Sequence, residues 1–191
     1  MNMKLNTILK LTSGAFAGLL LATVNSANAF TACQVTDLGG VDDKSFNETA
    51  WKGVQDAVAK HGIDSKILES KDGTDYEPHL NSMVGAGCDI IVAVGFLMGE
   101  ATQKAAEANP DSKFTIIDFA YNPTIPNVLG QVFATDQAAF LAGYVSAGVS
   151  KTGIVGTFGG INIPPVTGFM DGFAWGVSHY NKVKGKNVQV L

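Results

Sequence analysis

The sequence predicts an α/β protein built on a doubly wound parallel sheet. Three observations predict it. Short apolar runs alternate with amphipathic helical patterns, the signature of βαβ units. One run, Asp89-Ile90-Ile91-Val92-Ala93-Val94, is continuously apolar after its first residue, as a strand covered on both faces requires. Glycine- and aspartate-rich turns follow the strands, where such sheets bind small molecules.

The chain of 191 residues opens with an export signature. Lys4 and Lys10 supply positive charge, Leu11 to Val24 an apolar core, and Ala27-Asn28-Ala29 a small-x-small cleavage site. The apolar run is too short, and too rich in Ser, Thr and Gly, to span a membrane, which takes about 20 apolar residues. Lipidation at Cys33 is the competing reading, but Phe30-Thr31-Ala32 is a poor context for it. Residues 1–29 are therefore read as a signal peptide and the protein as exported, periplasmic or at the cell surface.

A first strand is expected over about 32–37, and a helix from Ser45 with Glu48 completing a capping box. Phe46, Ala50, Trp51, Val54, Ala57 and Val58 keep the helical period, and Gly62 stops it. A second strand follows at about 64–69. Thr74 and Glu77 suggest another capping box for a second helix, which Gly85 to Gly87 end. A third helix covers about 97–108. Phe114–Asp118 is a fourth strand, and about 127–132 a fifth. A fourth helix begins at Thr135 or Asp136, with Phe140, Leu141, Tyr144 and Val145 expected inward. A sixth strand (154–158), a helix (about 166–180) and a strand start at Val188 complete the sequence. Residues 30–150 are thus read as one complete ligand-binding lobe. Residues 151–191 are read as the beginning of a second, truncated one, in a fragment of a longer protein or the product of a truncated gene.

Composition narrows the function classes. The net charge is −4, and all 13 basic residues are lysine. An acidic chain without arginine is a poor nucleic-acid binder and lacks the bidentate clamp for phosphate. Cys33 and Cys88 head strands expected to be neighbours; a disulfide and two buried thiols are both compatible with that placement and with export. Neither metal-ligand spacing nor a cofactor motif is present, and His61, His79 and His179 have no nucleophile or acid spaced around them. Trp51 and Trp175 read as packing residues. Asp42-Asp43 is the only feature that invites an enzyme, of nucleoside-hydrolase type, and turn solvation with helix N-terminal charge explains it more simply.

Three strand ends converge on one sheet edge, delivering Asp37, Gly95-Phe96 and Asp118-Phe119, with Phe46 and Asn47 at the adjoining helix start. Ionised carboxylates only accept hydrogen bonds, so they suit neutral ligands rich in O–H and N–H and repel phosphates. Aromatic rings suit a flat heterocycle. A nucleoside meets both demands.

Five segments together resemble one family: Asp37-Leu38-Gly39-Gly40-Val41-Asp42-Asp43-Lys44-Ser45-Phe46-Asn47, Val94-Gly95-Phe96-Leu97-Met98, Ile117-Asp118, the run from Phe133 to Tyr144, and Gly159-Gly160 with Gly168-Phe169-x-Asp171-Gly172-Phe173. Together they are similar to the basic membrane protein (BMP) family of ABC-importer substrate-binding proteins, typified by a purine nucleoside receptor. The resemblance implies a type I periplasmic-binding fold, with two lobes and a hinged cleft, and no enzymatic activity. It implies that Asp37 and Asp118 hydrogen-bond a nucleoside, that Phe46 stacks on its base, and that Asn47 lines the same pocket; Gly95 and Phe96 are ligand-binding candidates from their place at the end of the third strand. The expected partners are a purine nucleoside and an ABC permease in the cytoplasmic membrane; the protein is expected to be a monomer without cofactors. A receptor for another neutral ligand, such as a sugar or signalling molecule, is the alternative.

Overall fold

A computed structural model describes residues 29–191; the export segment read from the sequence lies outside them, apart from Ala29. Strand β1 (Thr31–Val35) leads through an acidic loop to helix α1 (Phe46–His61). Then come β2 (Asp64–Leu68), a short 3-10 turn (Gly73–Asp75), α2 (Tyr76–Gly85) and β3 (Ile90–Val94). A second 3-10 turn (Phe96–Met98) runs into α3 (Gly99–Ala108), followed by β4 (Phe114–Ile117) and β5 (Val128–Gln131). The chain continues with α4 (Thr135–Val149), β6 (Ile154–Val155), α5 (Pro164–Lys184) and β7 (Gln189–Val190).

β1 to β5 form one parallel sheet in the order β2-β1-β3-β4-β5. The order reverses between β1 and β3, so the carboxyl ends of these two strands flank a topological switch point. The central strands carry the core. Cys33 and Val35 of β1 and Ile91 and Ala93 of β3 are fully buried with Leu80, Met98 and Ile116. Cys33 and Cys88 form a disulfide across a Cα separation of 6.0 Å, resolving the choice left open by the sequence. The bond ties β1 to the turn that enters β3. β6 and β7 pair in parallel as a separate two-stranded sheet.

Several local expectations change. β1 ends at Val35, two residues early, because the backbone turns at Asp37. Ser45 does not cap α1 through its side chain. Asp43 does so instead, accepting from the backbone N–H groups of Ser45 at 2.9 Å, Asn47 at 2.8 Å and Glu48 at 3.2 Å. A carboxylate two residues upstream offers two oxygens to these donors and outcompetes one hydroxyl. Likewise Asp72 and Asp75, not Thr74 and Glu77, make the capping box that opens the second helical stretch.

Helix α4 departs furthest. Leu141 and Val145, expected inward, are 66% and 60% exposed. Ala139, Gly143 and Ala147 are buried instead, because α4 packs along α5 through small residues. A Cβ on Gly143 would strike the Phe173 carbonyl, and one on Gly176 the Phe140 carbonyl, so the two backbones touch where only glycine fits. Trp175 is 58% exposed rather than packed.

Candidate functional site

Asp37 leaves β1 at the switch point, and its position is set by neighbours on three elements. Oδ1 accepts the Gly39 N–H at 3.0 Å and the Asn47 side-chain amide at 2.8 Å. Oδ2 lies over Gly95, at the end of β3, where an added Cβ would come within 2.8 Å of it. Gly95 has φ 121°, a conformation open to glycine alone at low cost. This residue thus makes the turn and leaves room for the carboxylate.

Asn47 is 1% exposed, and its polar atoms are engaged. Its amide also donates to Asp43 Oδ2 at 3.1 Å, and its carbonyl oxygen accepts the Asp37 N–H at 3.3 Å. Burial raises the Asp43 pKa, but the hydrogen bonds from Asn47, Ser45 and Glu48 outweigh it and hold the carboxyl below the usual carboxylate range. The Asp43 carboxylate therefore stays ionised as a structural cap.

Asp118 follows β4. Its backbone is left-handed, with φ 65°, and its N–H donates to the Gln131 carbonyl at 2.8 Å. Burial alone raises its pKa. A strained backbone and a desolvated carboxylate at one strand end mark a position shaped by something other than stability.

Two cavities meet at Asp118. One, of about 390 Å³, is walled by Phe46, Ala50, Ile117, Phe133 and Phe169. The other, of about 520 Å³, is walled by Phe96, Phe119, Phe133 and Pro164-Pro165. Phe119 stands between Phe96 and Tyr121, with ring centroids 5.1 and 4.9 Å away. Tyr121 donates to the Gly99 carbonyl at 2.7 Å, and burial pushes its hydroxyl pKa up to about 12. This aromatic ladder fixes the floor beside Asp118. Among the described residues no lysine or histidine lines either cavity.

The structure thus brings Phe46, Phe96 and Asp118 to one cavity system. It places Asp37 and Gly95 in contact with each other at the switch point and outside both cavity linings. Asn47 is a buried strut behind Asp37. Phe133 and Phe169 were given no role by sequence reasoning, although both fall in segments that carry the family resemblance. A further cavity of about 550 Å³ lies between α2 and α3, lined by Tyr76, Glu77, Leu97, Glu100 and Lys104, and contains none of the strand-end carboxylates. Among the described residues no group of three or more His, Cys, Asp or Glu could hold a metal ion.

Residues 30–191 match the family model of PnrA-like ABC-transporter substrate-binding proteins. The chain belongs to this family. Its members are substrate-binding proteins of ABC transporters, not enzymes. Among curated PnrA-like relatives, Basic membrane protein A of Borreliella burgdorferi is 39% identical over 146 residues, covering 75% of this chain and 43% of that protein. The ABC transporter nucleoside-binding protein BmpA of Lactococcus lactis is 35% identical over 149 residues, covering 76% and 42%. A solved ABC transporter solute-binding protein from Aeropyrum pernix superposes with a TM-score of 0.75 at 29% identity, covering 84% of this chain and 46% of that one. The chain spans less than half the length of each. This parallel α/β architecture is that of periplasmic-binding-protein-like solute-binding proteins.

Proposed function

We propose that this protein captures a neutral purine nucleoside outside the cytoplasm and delivers it to an ABC permease in the cytoplasmic membrane. One observation carries the reading. Phe46 and Asp118 wall a single cavity that, among the described residues, no cationic side chain lines. A phenyl face takes a flat base, and an ionised carboxylate takes hydroxyl or N–H donors. Without a cation, a phosphate or carboxylate on the ligand stays uncompensated. The strut on Asp37 supports a role for that residue as a second acceptor, reached when the site closes around ligand. Closure follows from contacts made better in the closed form and involves no covalent step. Among the described residues no helix is long and apolar enough to cross a membrane.

Calorimetry with inosine, guanosine, adenosine, a free pentose and a nucleoside monophosphate tests the proposal. The expected result is binding of at least one purine nucleoside, with the monophosphate at least tenfold weaker. Preference for the monophosphate, or for the pentose alone, overturns it.

A further inference from the structure

We infer that Gln34, in the interior of β1, is a positioning residue of the ligand site: it holds Asn47, and through Asn47 the Asp37 carboxylate, at a cost to the stability of the fold. This rests on the proposed capture of a nucleoside and extends it to a side chain that lines neither cavity.

Gln34 is 0% exposed, on the sheet face opposite the one that carries Cys33 and Val35. In register it lies between Ile67 of β2 and Val92 of β3, so both cross-strand neighbours are aliphatic. An aliphatic side chain would complete that row, and a buried amide breaks it. The amide is also only half satisfied. Nε2 donates to the Asn47 backbone carbonyl at 3.3 Å, while Oε1 has no hydrogen-bond partner among the described residues. An acceptor buried without a donor costs free energy. Thr115, beyond Val92 in the same row, shows the ordinary solution. Its hydroxyl donates to the Leu129 carbonyl at 2.9 Å and accepts from the Gln131 side-chain amide at 2.6 Å.

The bond that Gln34 does make falls on the residue that clamps Asp37. Asn47 donates from Nδ2 to Asp37 Oδ1 and accepts the Asp37 N–H on Oδ1, so its side chain holds the carboxylate that leaves β1. Gln34 fixes the backbone of that clamp from inside the sheet. A polar chain thus runs from the middle of β1, through the first turn of α1, back to the end of β1. Placement of a binding group to a fraction of an ångström needs such support behind it. A leucine at position 34 has a similar size and removes both the donor and the orphaned acceptor, leaving the first turn of α1 without its tie to the interior of β1.

The test compares wild type, Gln34→Leu, Asp37→Asn and the double variant. The readouts are calorimetry with inosine, thermal unfolding, and NMR of the Asp37 backbone amide and the Asn47 side-chain amide. Gln34→Leu should unfold at or above the wild-type temperature, because the orphaned acceptor is gone. It should nevertheless bind inosine about 3–10-fold more weakly, the value of one buried hydrogen bond. The Asp37 and Asn47 signals should shift and lose protection from exchange. In the Asp37→Asn background the loss caused by Gln34→Leu should shrink, since it acts through Asp37. Gln34→Met, which keeps the length of glutamine without a donor, repeats the test should leucine pack poorly. Wild-type affinity in both variants, full additivity with Asp37→Asn, or an affinity loss that only follows a lower unfolding temperature overturns the positioning role and leaves nucleoside capture standing. If wild type binds no nucleoside, capture falls and the NMR signals decide: shifted, deprotected Asp37 and Asn47 amides support the positioning role, and unmoved ones overturn it.

Discussion

The Asn47 side-chain amide donates to Asp37 Oδ1 over 2.8 Å, while its own oxygen accepts the Asp37 backbone N–H at 3.3 Å. The carboxylate leaving β1 is thus clamped at both its side chain and its backbone by the first turn of α1. Asn47→Ala should weaken ligand through Asp37 and destabilise the fold by about 1–3 kcal/mol, the cost of leaving buried partners unpaired. In a double-mutant cycle with Asp37→Asn, the affinity losses should be strongly non-additive. Simple additivity would show that the two residues act separately.

Asp118 should trade stability against binding. Burial raises its pKa, so its contribution to stability is fully present below the unfolded pKa and is lost as pH rises through the folded one. At pH 7 the ionised form is a burden on the apo fold. Asp118→Asn removes the charge and tolerates the left-handed backbone. Thermal unfolding should show Asp118→Asn more stable than wild type at pH 7, with the gap closing below about pH 4. The same variant should bind nucleoside about 10–150-fold more weakly, the value of a hydrogen bond to a charged group. In wild type, affinity should fall as acidification protonates Asp118.

Gly95→Ala should disturb the switch point in two ways. It places a side chain at φ 121° and brings a Cβ within 2.8 Å of Asp37 Oδ2. We expect a lower unfolding temperature and a loss of affinity at least as large as that of Asp37→Asn. Calorimetry on the two variants side by side makes the comparison.

Much of this organisation was legible in the sequence, for reasons tied to particular residues. Ile90 to Val94 could only be an interior strand, and the helical period from Phe46 to Val58, closed by Gly62, gave α1 almost to the residue. The sheet edge holding Asp37, Gly95 and Asp118 followed from that alternation. The buried face of α4 was not legible. Leu141 and Val145 outrank Gly143 on any hydrophobic scale, and only the presence of α5, with glycines at matching positions, makes the small residues the interior ones. The same partnership puts the end of the helix expected inside a lobe bounded at residue 150 on the side of α5, and we propose that α4 belongs with the later elements. Asp43 and Ser45 competed for one helix end, and geometry rather than composition decided between them. The placement of Phe133 and Phe169 depends on how α4 and α5 lie, which no local pattern encodes.

Reduction of the Cys33–Cys88 bond, or its replacement by serines, should destabilise the fold by about 2–5 kcal/mol. The bond closes a loop with a sequence separation of 55 between two central elements. Chemical denaturation with and without reductant measures the difference. An unchanged midpoint would show that the buried core around Ile91 and Leu80 holds β1 and β3 together unaided.

Closing the helix pair should matter as much as closing the sheet. Gly176→Val inserts a side chain where the Phe140 carbonyl already sits. Overpacking of this kind costs about 1–3 kcal/mol. Denaturation should show that loss, and nucleoside affinity should drop with it, since α5 carries Phe169.

The most direct test is a structure of the protein with a bound purine nucleoside. The base should lie against the Phe46 ring, with a ligand donor on the Asp118 carboxylate. A nucleoside seated between α2 and α3, against Tyr76, Leu97 and Lys104, would contradict the proposed site.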